Sequence, residues 1–397
     1  MLIRKSYKFR LKTNKATANA LARSGGTCRY VWNKALALQK DRLDNEQTIL
    51  NYGQLCEQVK LWKSEPETPW LADTHSQPLQ QTLKNLDRAF RDAFDKTSPK
   101  CFPRFKKKGC GDSFRYPQGF KLEGNRVYLP KIGWVRYYKS REITGTPKNL
   151  TVSEQGGHWF ISIQCEVHLD PPVHESTSWV GIDMGVRRFA TLSDGSFLEP
   201  LNSFRKLERK LAKAQRKLSR KVKFSSNWKK QKRKIARIHT RIAHARRDYL
   251  HKSSTMISKN HAVIVLENLQ VSNMSASATG TLEEPGKNVR AKSGLNKSIL
   301  DQGWYEFRRQ ITYKQDWCGG RTILINPRNT SRKCPGCGHV AADNRKGESF
   351  RCLACGYAQH ADLVGAINIL AAGHAVSACG ETALVASMKQ EPLGAAA

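Results

Sequence analysis

Residues 179–192 read Trp179-Val180-Gly181-Ile182-Asp183-Met184-Gly185-Val186-Arg187-Arg188-Phe189-Ala190-Thr191-Leu192. This run predicts an apolar strand interrupted by one acid and followed by a second strand. Burying an ionised carboxylate costs several kcal/mol unless the carboxylate is paired or bound to a metal. Asp183 therefore requires a compensating charge. A metal ion is one candidate, and an ordinary ion pair with Arg187 or Arg188 is the alternative.

Two more acids stand at the ends of predicted elements. Glu267 ends the apolar strand 262–267, and Asp362 begins the helical stretch 360–370. A strand-terminal Glu is weak evidence by itself, and an Asp at a helix start is often only a cap. Three acids at comparable element ends nevertheless favour a joint metal site. Such a set predicts phosphodiester cleavage by two Mg²⁺ or Mn²⁺ ions held about 4 Å apart by oxygen ligands.

Four cysteines form two matched knuckles. Cys334-Pro335-Gly336-Cys337-Gly338 is followed, after fourteen intervening residues, by Cys352-Leu353-Ala354-Cys355-Gly356. Each C-x-x-C turn presents two thiolates to one side of a tetrahedral zinc ion, and the following glycine relaxes the backbone. Because all four ligands are protein thiolates, no position is left for water or substrate. The sequence therefore predicts a structural zinc site at Cys334, Cys337, Cys352 and Cys355, separate from the acid chemistry.

From about residue 178 onwards, predicted strands alternate with predicted helices, which indicates an α/β domain. The loop 272–295 is rich in Gly and Ser, and both a lid over an active centre and a plain linker remain open for it. The predicted order is a hairpin (179–199), long basic helices (203–258), a strand (262–267), the loop (272–295), a helix (297–316), a strand (321–326), a zinc ribbon (331–358) and a short helix (361–371).

The first 170 residues have a different organisation. Residues 1–12 alternate like a strand, helical spacing runs from about 14 to 97, and period-two alternation returns over 99–169. A small β-barrel interrupted by a helical module is the economical interpretation. The sequence Asp170-Pro171-Pro172 predicts a linker, since consecutive prolines stop both strand and helix. The fold class is therefore multidomain, α+β in the first part and α/β in the second.

The charge predicts a polyanionic partner. The 397 residues include 68 Lys and Arg against 33 Asp and Glu, a formal net charge of +35. Nucleic acid is the expected partner for a compact protein of this charge. No run of about 18 apolar residues is apparent and the start of the chain lacks a secretory signal, so a membrane partner is not expected and the protein is expected in the cytoplasm.

The densest positive charge lies between Arg205 and Asp248, where nineteen Lys or Arg face only two acids, Glu208 and Asp248. A solvated helix face would normally mix signs. An apolar stripe predicts that this segment is a helical hairpin packed on the sheet, with the cationic face turned to phosphates. Phe224 and Trp228 lie at its tip, where they either pack or stack on bases. The stripe consists of Leu207, Leu211, Leu218, Ile235, Ile238 and Ile242.

Four motifs, taken in this order and spacing, carry a family resemblance. They are Gly181-Ile182-Asp183-Met184-Gly185 with Phe189 to Gly195, then Val265 to Leu269, then Asn326 to Gly338, and finally Cys352 to Leu370. With these motifs the chain resembles, over nearly its whole length, the TnpB (OrfB) proteins of bacterial insertion sequences, compact relatives of the type V CRISPR effectors. The resemblance assigns the RuvC-like, RNase H-type catalytic and metal-binding acids to Asp183, Glu267 and Asp362.

The resemblance also implies a domain plan: a β-barrel wedge domain (1–12 and 99–170) with an inserted helical recognition lobe (13–98), and a RuvC-like nuclease domain (178–330 and 359–372) interrupted by the four-cysteine zinc ribbon (331–358). The remaining tail, 373–397, is expected to be disordered. The family usually has Asn and then Ala where this chain has Val364 and Gly365.

The function implied is cleavage of double-stranded DNA beside a short target-adjacent motif, directed by a guide RNA. A monomer with its RNA is the favoured assembly, associated with the bacterial nucleoid when bound to DNA. An RNA-guided DNA-binding repressor without cleavage is one alternative, and a structure-selective nuclease of ordinary RuvC type is another. The family resemblance disfavours a transposase that joins DNA ends.

Overall fold

The computed structural model describes residues 1–109, 111–168, 170–281 and 283–378. The chain divides into two compact units, Met1–Asp170 and Pro171–Ala397. The division falls within the Asp170-Pro171-Pro172 sequence that predicted a linker.

The first unit is a sheet with helices inserted after its first strand. Asn14 caps the first helix by accepting a hydrogen bond from the Thr17 N–H, and Asn51 and Gln54 form a capping box on the second. A short 3₁₀ turn, Pro69–Asp73, precedes the third helix. The elements are β1 (Leu2–Lys12), α1 (Lys15–Asp44), α2 (Tyr52–Ser64), α3 (Ser76–Phe94), β2 (Ser113–Tyr116), β3 (Lys121–Glu123), β4 (Arg126–Leu129), β5 (Gly133–Tyr137), β6 (Thr146–Gln155) and β7 (His158–His168).

The strands form a seven-stranded sheet in the order β2-β6-β7-β1-β5-β4-β3. Strand β1 pairs with β7 from Leu2 to Arg10, and its last two residues, Leu11 and Lys12, pair with β5. Among the described strands, β2 and β3 are the two edges of this sheet. Hydrogen bonding between strands therefore does not close the sheet into the barrel that the sequence predicted. Helical and sheet side chains, including Leu83, Phe90, Phe114 and Tyr116, share one hydrophobic core. The predicted recognition lobe therefore packs directly on the sheet.

The second unit contains a mixed sheet, long helices and a small ribbon. A 3₁₀ turn at Ala342–Asn344 lies within the ribbon. The elements are β8 (Trp179–Asp183), β9 (Ala190–Leu192), β10 (Phe197–Leu198), α4 (Ser203–Ser219), α5 (Ser226–Asn260), β11 (Val263–Glu267), α6 (Val271–Met274), α7 (Val289–Gln302), α8 (Trp304–Cys318), β12 (Arg321–Ile325), β13 (Arg345–Lys346), β14 (Ser349–Arg351), β15 (Ala358–His360) and α9 (Ala361–Ala378).

Helices cover both faces of the five-stranded sheet β10-β9-β8-β11-β12. Strands β8, β11 and β12 are parallel, whereas β9 and β10 run antiparallel to their neighbours. Successive residues of β11 point to opposite faces. Ile264 and Leu266 belong to the core that includes α5 and α8, while Val265 packs with Ile369 of α9. The sheet is thus the middle layer of three.

Three boundaries differ from the sequence predictions. The helix predicted over 297–316 is two helices, because Gly303 adopts a left-handed conformation (φ 77°) between α7 and α8. The predicted Gly/Ser-rich loop 272–295 includes most of α6 and the start of α7. Helix α9 continues to Ala378, so the first six residues of the predicted disordered tail are helical. The rest of that tail, 379–397, lies outside the described residues.

Helix α9 is long and apolar on average, but Asp362, Asn368, His374 and Ser377 interrupt its apolar residues, so it is not the uninterrupted apolar run whose absence the sequence indicated. By length and mean hydropathy (1.3) it is the one helix in the described part of the chain that would be able to cross a membrane. This is weak evidence of a span, since core helices pass the same test. Gly181 and Gly373 let α9 approach the sheet: a Cβ on Gly181 would lie 2.3 Å from the Ala366 carbonyl oxygen, and one on Gly373 would lie 2.4 Å from Val265.

Candidate functional site

Asp183 and Glu267 lie at the same edge of the second unit's sheet. Asp183 is the last residue of β8 and Glu267 the last of β11, and these strands are parallel neighbours with Leu266 opposite Ile182. The next residue on each strand therefore points to the same face. Carboxyl ends of parallel strands are where open α/β sheets bind ligands. Two of the three predicted acids thus meet because of strand register.

Asp362 reaches the same region from the first turn of α9, which packs against β8 and β11. The Asp362 backbone N–H donates a hydrogen bond to His360 Nδ1 (3.2 Å). The His360 ring thus provides the acceptor that this N–H lacks in the first turn of the helix. One turn further, Gly365 faces Asp183: a Cβ there would lie 2.8 Å from Asp183 Oδ2. The absence of a side chain at position 365 lets the Asp183 carboxylate lie against the helix. We call Asp183, Glu267 and Asp362 the acid centre.

The acid centre is electrostatically coupled. Burial, and then the charges of Glu267 and Asp362, raise the pKa of Asp183 to about 7, while Arg345 opposes this rise. Burial also raises the pKa of Glu267, which is 8% exposed. A hydrogen bond from Thr330 and the charge of Arg345 act in the opposite direction and lower this pKa. Repulsion among nearby buried carboxylates is what a bound divalent cation relieves. The arrangement is therefore suited to hard cations.

Neither arginine proposed as an ordinary partner of Asp183 pairs with it. Arg187 forms an ion pair with Glu348, and the Arg188 guanidinium lies over the Phe197 ring, 4.3 Å from its centroid. A cation that contacts the acid centre comes instead from the ribbon, where Arg345 Nη2 lies 3.3 Å from Asp362 Oδ1. The contact with Arg345 was not predicted from the sequence.

Sequence reasoning also missed two polar side chains beside Glu267. Thr330 Oγ1 donates to Glu267 Oε1 at 2.6 Å. Asn368 of α9 is 7% exposed, and its Nδ2 donates to the carbonyl oxygens of Thr330 and Lys333, both at 2.7 Å. A polar residue on the otherwise apolar stretch 363–370 is the one sequence signal that pointed to Asn368. Thr330 carried no such local signal.

The four predicted zinc ligands come together as a compact group, the thiol cluster. Cys334 Sγ lies 3.6 Å from Cys355 Sγ, and Cys337 Sγ lies 3.5 Å from Cys352 Sγ. Four Zn–S bonds of about 2.3 Å in a tetrahedron place sulfurs roughly 3.8 Å apart, so the spacing fits zinc. In the described part of the chain, this is the only set of three or more His, Cys, Asp or Glu whose ligand atoms all lie within 4.8 Å of one another. The carboxylate oxygens of the acid centre are spaced more widely than the sulfurs of the thiol cluster.

The two knuckles have the same backbone geometry. Gly338 and Gly356 both adopt φ 76°, and each donates its N–H to the first cysteine of its knuckle at 3.0 Å, Gly338 to Cys334 and Gly356 to Cys352. Backbone hydrogen bonds, first from Cys355, lower the pKa of Cys352, whereas contacts with the other thiols raise the pKa of Cys337 against a backbone hydrogen bond from His339. A lowered thiol pKa favours the thiolate that binds metal.

One buried amide joins the knuckles. Asn344 is 1% exposed; its Nδ2 donates to the carbonyls of Arg332 and His339, and its Oδ1 accepts from the Leu353 N–H at 3.1 Å. Since Leu353 directly follows Cys352, this side chain fixes the two halves of the ribbon together.

The basic segment forms the predicted helical hairpin, which consists of α4 and α5. Leu211, Ala214, Ile238 and Ile242 pack between the two helices. At the tip, Phe224 is 73% exposed, its ring centroid lies 5.5 Å from that of Trp228, and Lys232 Nζ lies 5.3 Å from the Trp228 ring centroid. A cationic hairpin with an exposed aromatic ring at its tip is suited to contact phosphates and to stack on a base.

Three family models match the chain. A model of the OrfB proteins of IS605-type elements, described as "Probable transposase", matches residues 162–278. A model described as "Cas12f1-like, TNB domain" matches residues 304–369, which include the thiol cluster and Asp362. A model described as "Helix-turn-helix domain" matches residues 1–48, where the structure has β1 and α1.

Curated relatives match along nearly the whole chain. The "Putative RNA-guided DNA endonuclease InsQ" of Escherichia coli (strain K12) is 55% identical over 393 residues, which cover 98% of this chain and 97% of that protein. A "Putative RNA-guided DNA endonuclease" of Streptomyces pristinaespiralis is 34% identical, over 96% of this chain and 92% of that protein. Among solved structures, the mini-RNA-guided endonuclease CRISPR-Cas phi3 aligns over 94% of this chain and 92% of its own, at 11% identity and a TM-score of 0.44.

Proposed function

Because the chain belongs to the OrfB (TnpB) family of insertion-sequence proteins, we propose that it is an RNA-guided endonuclease that cleaves double-stranded DNA beside a short target-adjacent motif. The observation that carries the proposal is the acid centre at the carboxyl edge of β8 and β11, in a chain 55% identical to a relative named for this activity. The domain plan implied by the resemblance is part of the proposal: a wedge domain and recognition lobe in the first unit, and a RuvC-like nuclease domain interrupted by a zinc ribbon in the second.

Asp183, Glu267 and Asp362 would hold Mg²⁺ or Mn²⁺ through their carboxylate oxygens. A pair of such ions activates water and stabilises the leaving oxygen of a phosphodiester. Carboxylates are hard ligands. Burial, and then the charges of Glu267 and Asp362, raise the pKa of Asp183, and a bound cation would stabilise its charged form. Arg345 reduces the charge of the acid centre through its contact with Asp362.

The thiol cluster would hold a structural zinc ion. Its ribbon leads directly into α9, because β15 ends at His360 and α9 begins at Ala361. Zinc would therefore fix the start of the helix that carries Asp362, and would hold Arg345 in place.

Guide RNA and target DNA are the proposed partners, with a monomer as the favoured protein assembly. The basic hairpin would contact phosphates without reading sequence, which makes binding strongly salt-dependent. The proposed location is the bacterial cytoplasm, in association with the nucleoid when the complex is on DNA.

The test is to purify the protein with its co-expressed RNA, sequence that RNA, and measure Mg²⁺-dependent cleavage of plasmids that match or mismatch the guide segment. Cleavage of matched plasmids alone is expected. An RNA-free protein with equal, sequence-independent activity would contradict RNA guidance. Tight, guide-dependent binding to matched DNA without any cleavage would identify the repressor alternative.

A further inference from the structure

We propose that Thr330 and Asn368 are positioning residues for Glu267. In this arrangement Asn368 fixes the loop that enters the zinc ribbon, and Thr330 in that loop holds one carboxylate oxygen of Glu267 so that the other faces a divalent cation. The inference rests on the proposed function, because it assumes that the acid centre binds metal.

The first step is the contact between Thr330 and Glu267. The Thr330 hydroxyl lies 2.6 Å from Glu267 Oε1 and 3.1 Å from the Pro327 carbonyl oxygen. A hydroxyl has one proton, and the shorter contact has the length of a charge-assisted bond to a carboxylate. With Oε1 engaged, rotation of the carboxylate is restricted and Oε2 remains available as a ligand. Hydrogen-bonded ligand carboxylates are the usual arrangement in metal sites.

The second step is the contact that fixes Thr330. A loop hydroxyl orients a carboxylate only if the loop itself is held in place. Both protons of the Asn368 amide are used on this loop, one on each side of Ser331-Arg332, at the carbonyls of Thr330 and Lys333. Asn368 is 7% exposed on a helix face that is otherwise apolar. A buried amide in such a place is costly unless its hydrogen bonds are made, so both donors hold the loop.

Helix α9 therefore acts on all three acids. It carries Asp362 in its first turn, it accommodates the Asp183 carboxylate against Gly365, and it reaches Glu267 through Asn368 and Thr330. Asn368 follows Asp362 by six residues, or roughly 9 Å along the helix axis. A single rigid element thus sets the spacing of ligands that come from three distant parts of the chain.

The test compares Thr330→Val, which keeps the shape of the side chain and removes the hydroxyl, with Thr330→Ser, which keeps the hydroxyl. Mn²⁺ binding to the zinc-loaded, RNA-free full chain is followed by electron paramagnetic resonance, with Glu267→Gln as the reference for a lost ligand. We expect Thr330→Val to weaken Mn²⁺ binding about 10-fold and Thr330→Ser to bind within about 2-fold of the parent. In the RNA complex, the Mg²⁺ concentration for half-maximal cleavage should rise by the same factor, with DNA binding unchanged.

A double-mutant cycle tests the relay. If Asn368 acts through Thr330, Asn368→Ala weakens Mn²⁺ binding, and Thr330→Val adds little to it in the double variant. Additive effects would show that Asn368 acts by another route. Parental Mn²⁺ binding in Thr330→Val, or equal weakening in Thr330→Ser, would overturn the role of the hydroxyl, and so would a parent that binds no Mn²⁺. A parent that binds Mn²⁺ but cleaves no DNA would contradict the proposed function and leave the positioning role intact.

Discussion

The thiol cluster and the acid centre lie in the same unit but are built in opposite ways. The thiol cluster takes its four ligands from two matched turns between Cys334 and Cys355, and the paired sulfurs lie 3.5 and 3.6 Å apart. The acid centre takes its ligands from two strands and a helix, between Asp183 and Asp362, and its carboxylates are spaced more widely. A site made by local turns depends on its own motif, whereas a site assembled from distant elements depends on the side chains that hold those elements in register.

The largest effect that distinguishes the two sites is expected from the thiol cluster. Replacing Cys352 and Cys355 together with Ser should reduce the zinc content from one ion per chain to near zero, because a structural zinc site contributes on the order of 10 kcal/mol to local folding. Elemental analysis and thermal unfolding measure the two consequences. Cys101→Ser, at an exposed cysteine outside the cluster, is the control. A double variant that keeps its zinc would show that the cluster is not the metal site.

The next effect concerns chemistry without loss of structure. Asp183→Ala should lower guided cleavage by about 10³-fold or more, since a lost metal ligand removes several kcal/mol of transition-state stabilisation. Zinc content and DNA binding should remain those of the parent. Asp194→Ala, in the same hairpin, is the matched control, because the Asp194 carboxylate accepts hydrogen bonds from Ser196 and is not part of the acid centre. Equal cleavage by Asp183→Ala and the parent would remove Asp183 from the active site.

A smaller effect follows from the pKa of Asp183, which burial and then its acidic neighbours raise to about 7. A carboxyl group whose pKa is raised in the folded state stabilises the fold fully below its ordinary pKa, near 4, and loses that contribution as the pH rises through 7. The uncharged variant Asp183→Asn should therefore be more stable than the parent above pH 7, by about 1 to 3 kcal/mol. Urea unfolding of zinc-loaded protein without Mg²⁺ checks this, and the difference should shrink steadily towards pH 5. A difference independent of pH would contradict the raised pKa of Asp183.

The smallest effect is expected from Gly365→Ala. A Cβ at this position would lie 2.8 Å from Asp183 Oδ2, so the carboxylate must swing away from α9. Since a side chain moves easily and the family usually has Ala at this position, we expect little change in unfolding temperature and a Mg²⁺ requirement for cleavage raised by at most about 3-fold. Gly294→Ala on α7, where an added methyl group meets nothing within 4 Å, is the control. An unchanged Mg²⁺ requirement would show that the close approach of Gly365 to the Asp183 carboxylate does not affect metal binding during cleavage.

The contrast between the sites also explains what the sequence could predict. Spacing alone identified the cysteines, because each knuckle is a local turn that the glycine after its second cysteine completes. The acids stood out because each is an exception to an apolar pattern. Thr330 gave no such signal: it lies 63 residues from Glu267 in the chain, and only the fold brings the two together. Arg345 is equally ordinary in sequence, since an exposed ribbon already contains many cations.

The predicted element boundaries were wrong where the conformation or packing of a single residue determines where a helix ends. Gly303 lies inside a stretch with continuous helical spacing, and only its left-handed conformation separates α7 from α8. At the other end, the small residues after Leu370 lack a clear period but extend α9, because Gly373 packs directly against Val265. Tertiary packing overrode local pattern in that helix.

The central position of β1 in the first unit has a consequence for protein synthesis. Nine residues of β1 pair with β7, and the two strands are separated by α1 to α3 and five other strands. At 5–20 residues per second, a ribosome needs roughly 7 to 30 s to make the intervening stretch, on the order of 150 residues. During that time β1, in which apolar and polar residues alternate, has no partner strand, and an unpaired strand of this kind is prone to aggregation. Translation speed and chaperone access should therefore influence the yield of this unit more than that of the knuckles, which can close as soon as Cys355 emerges.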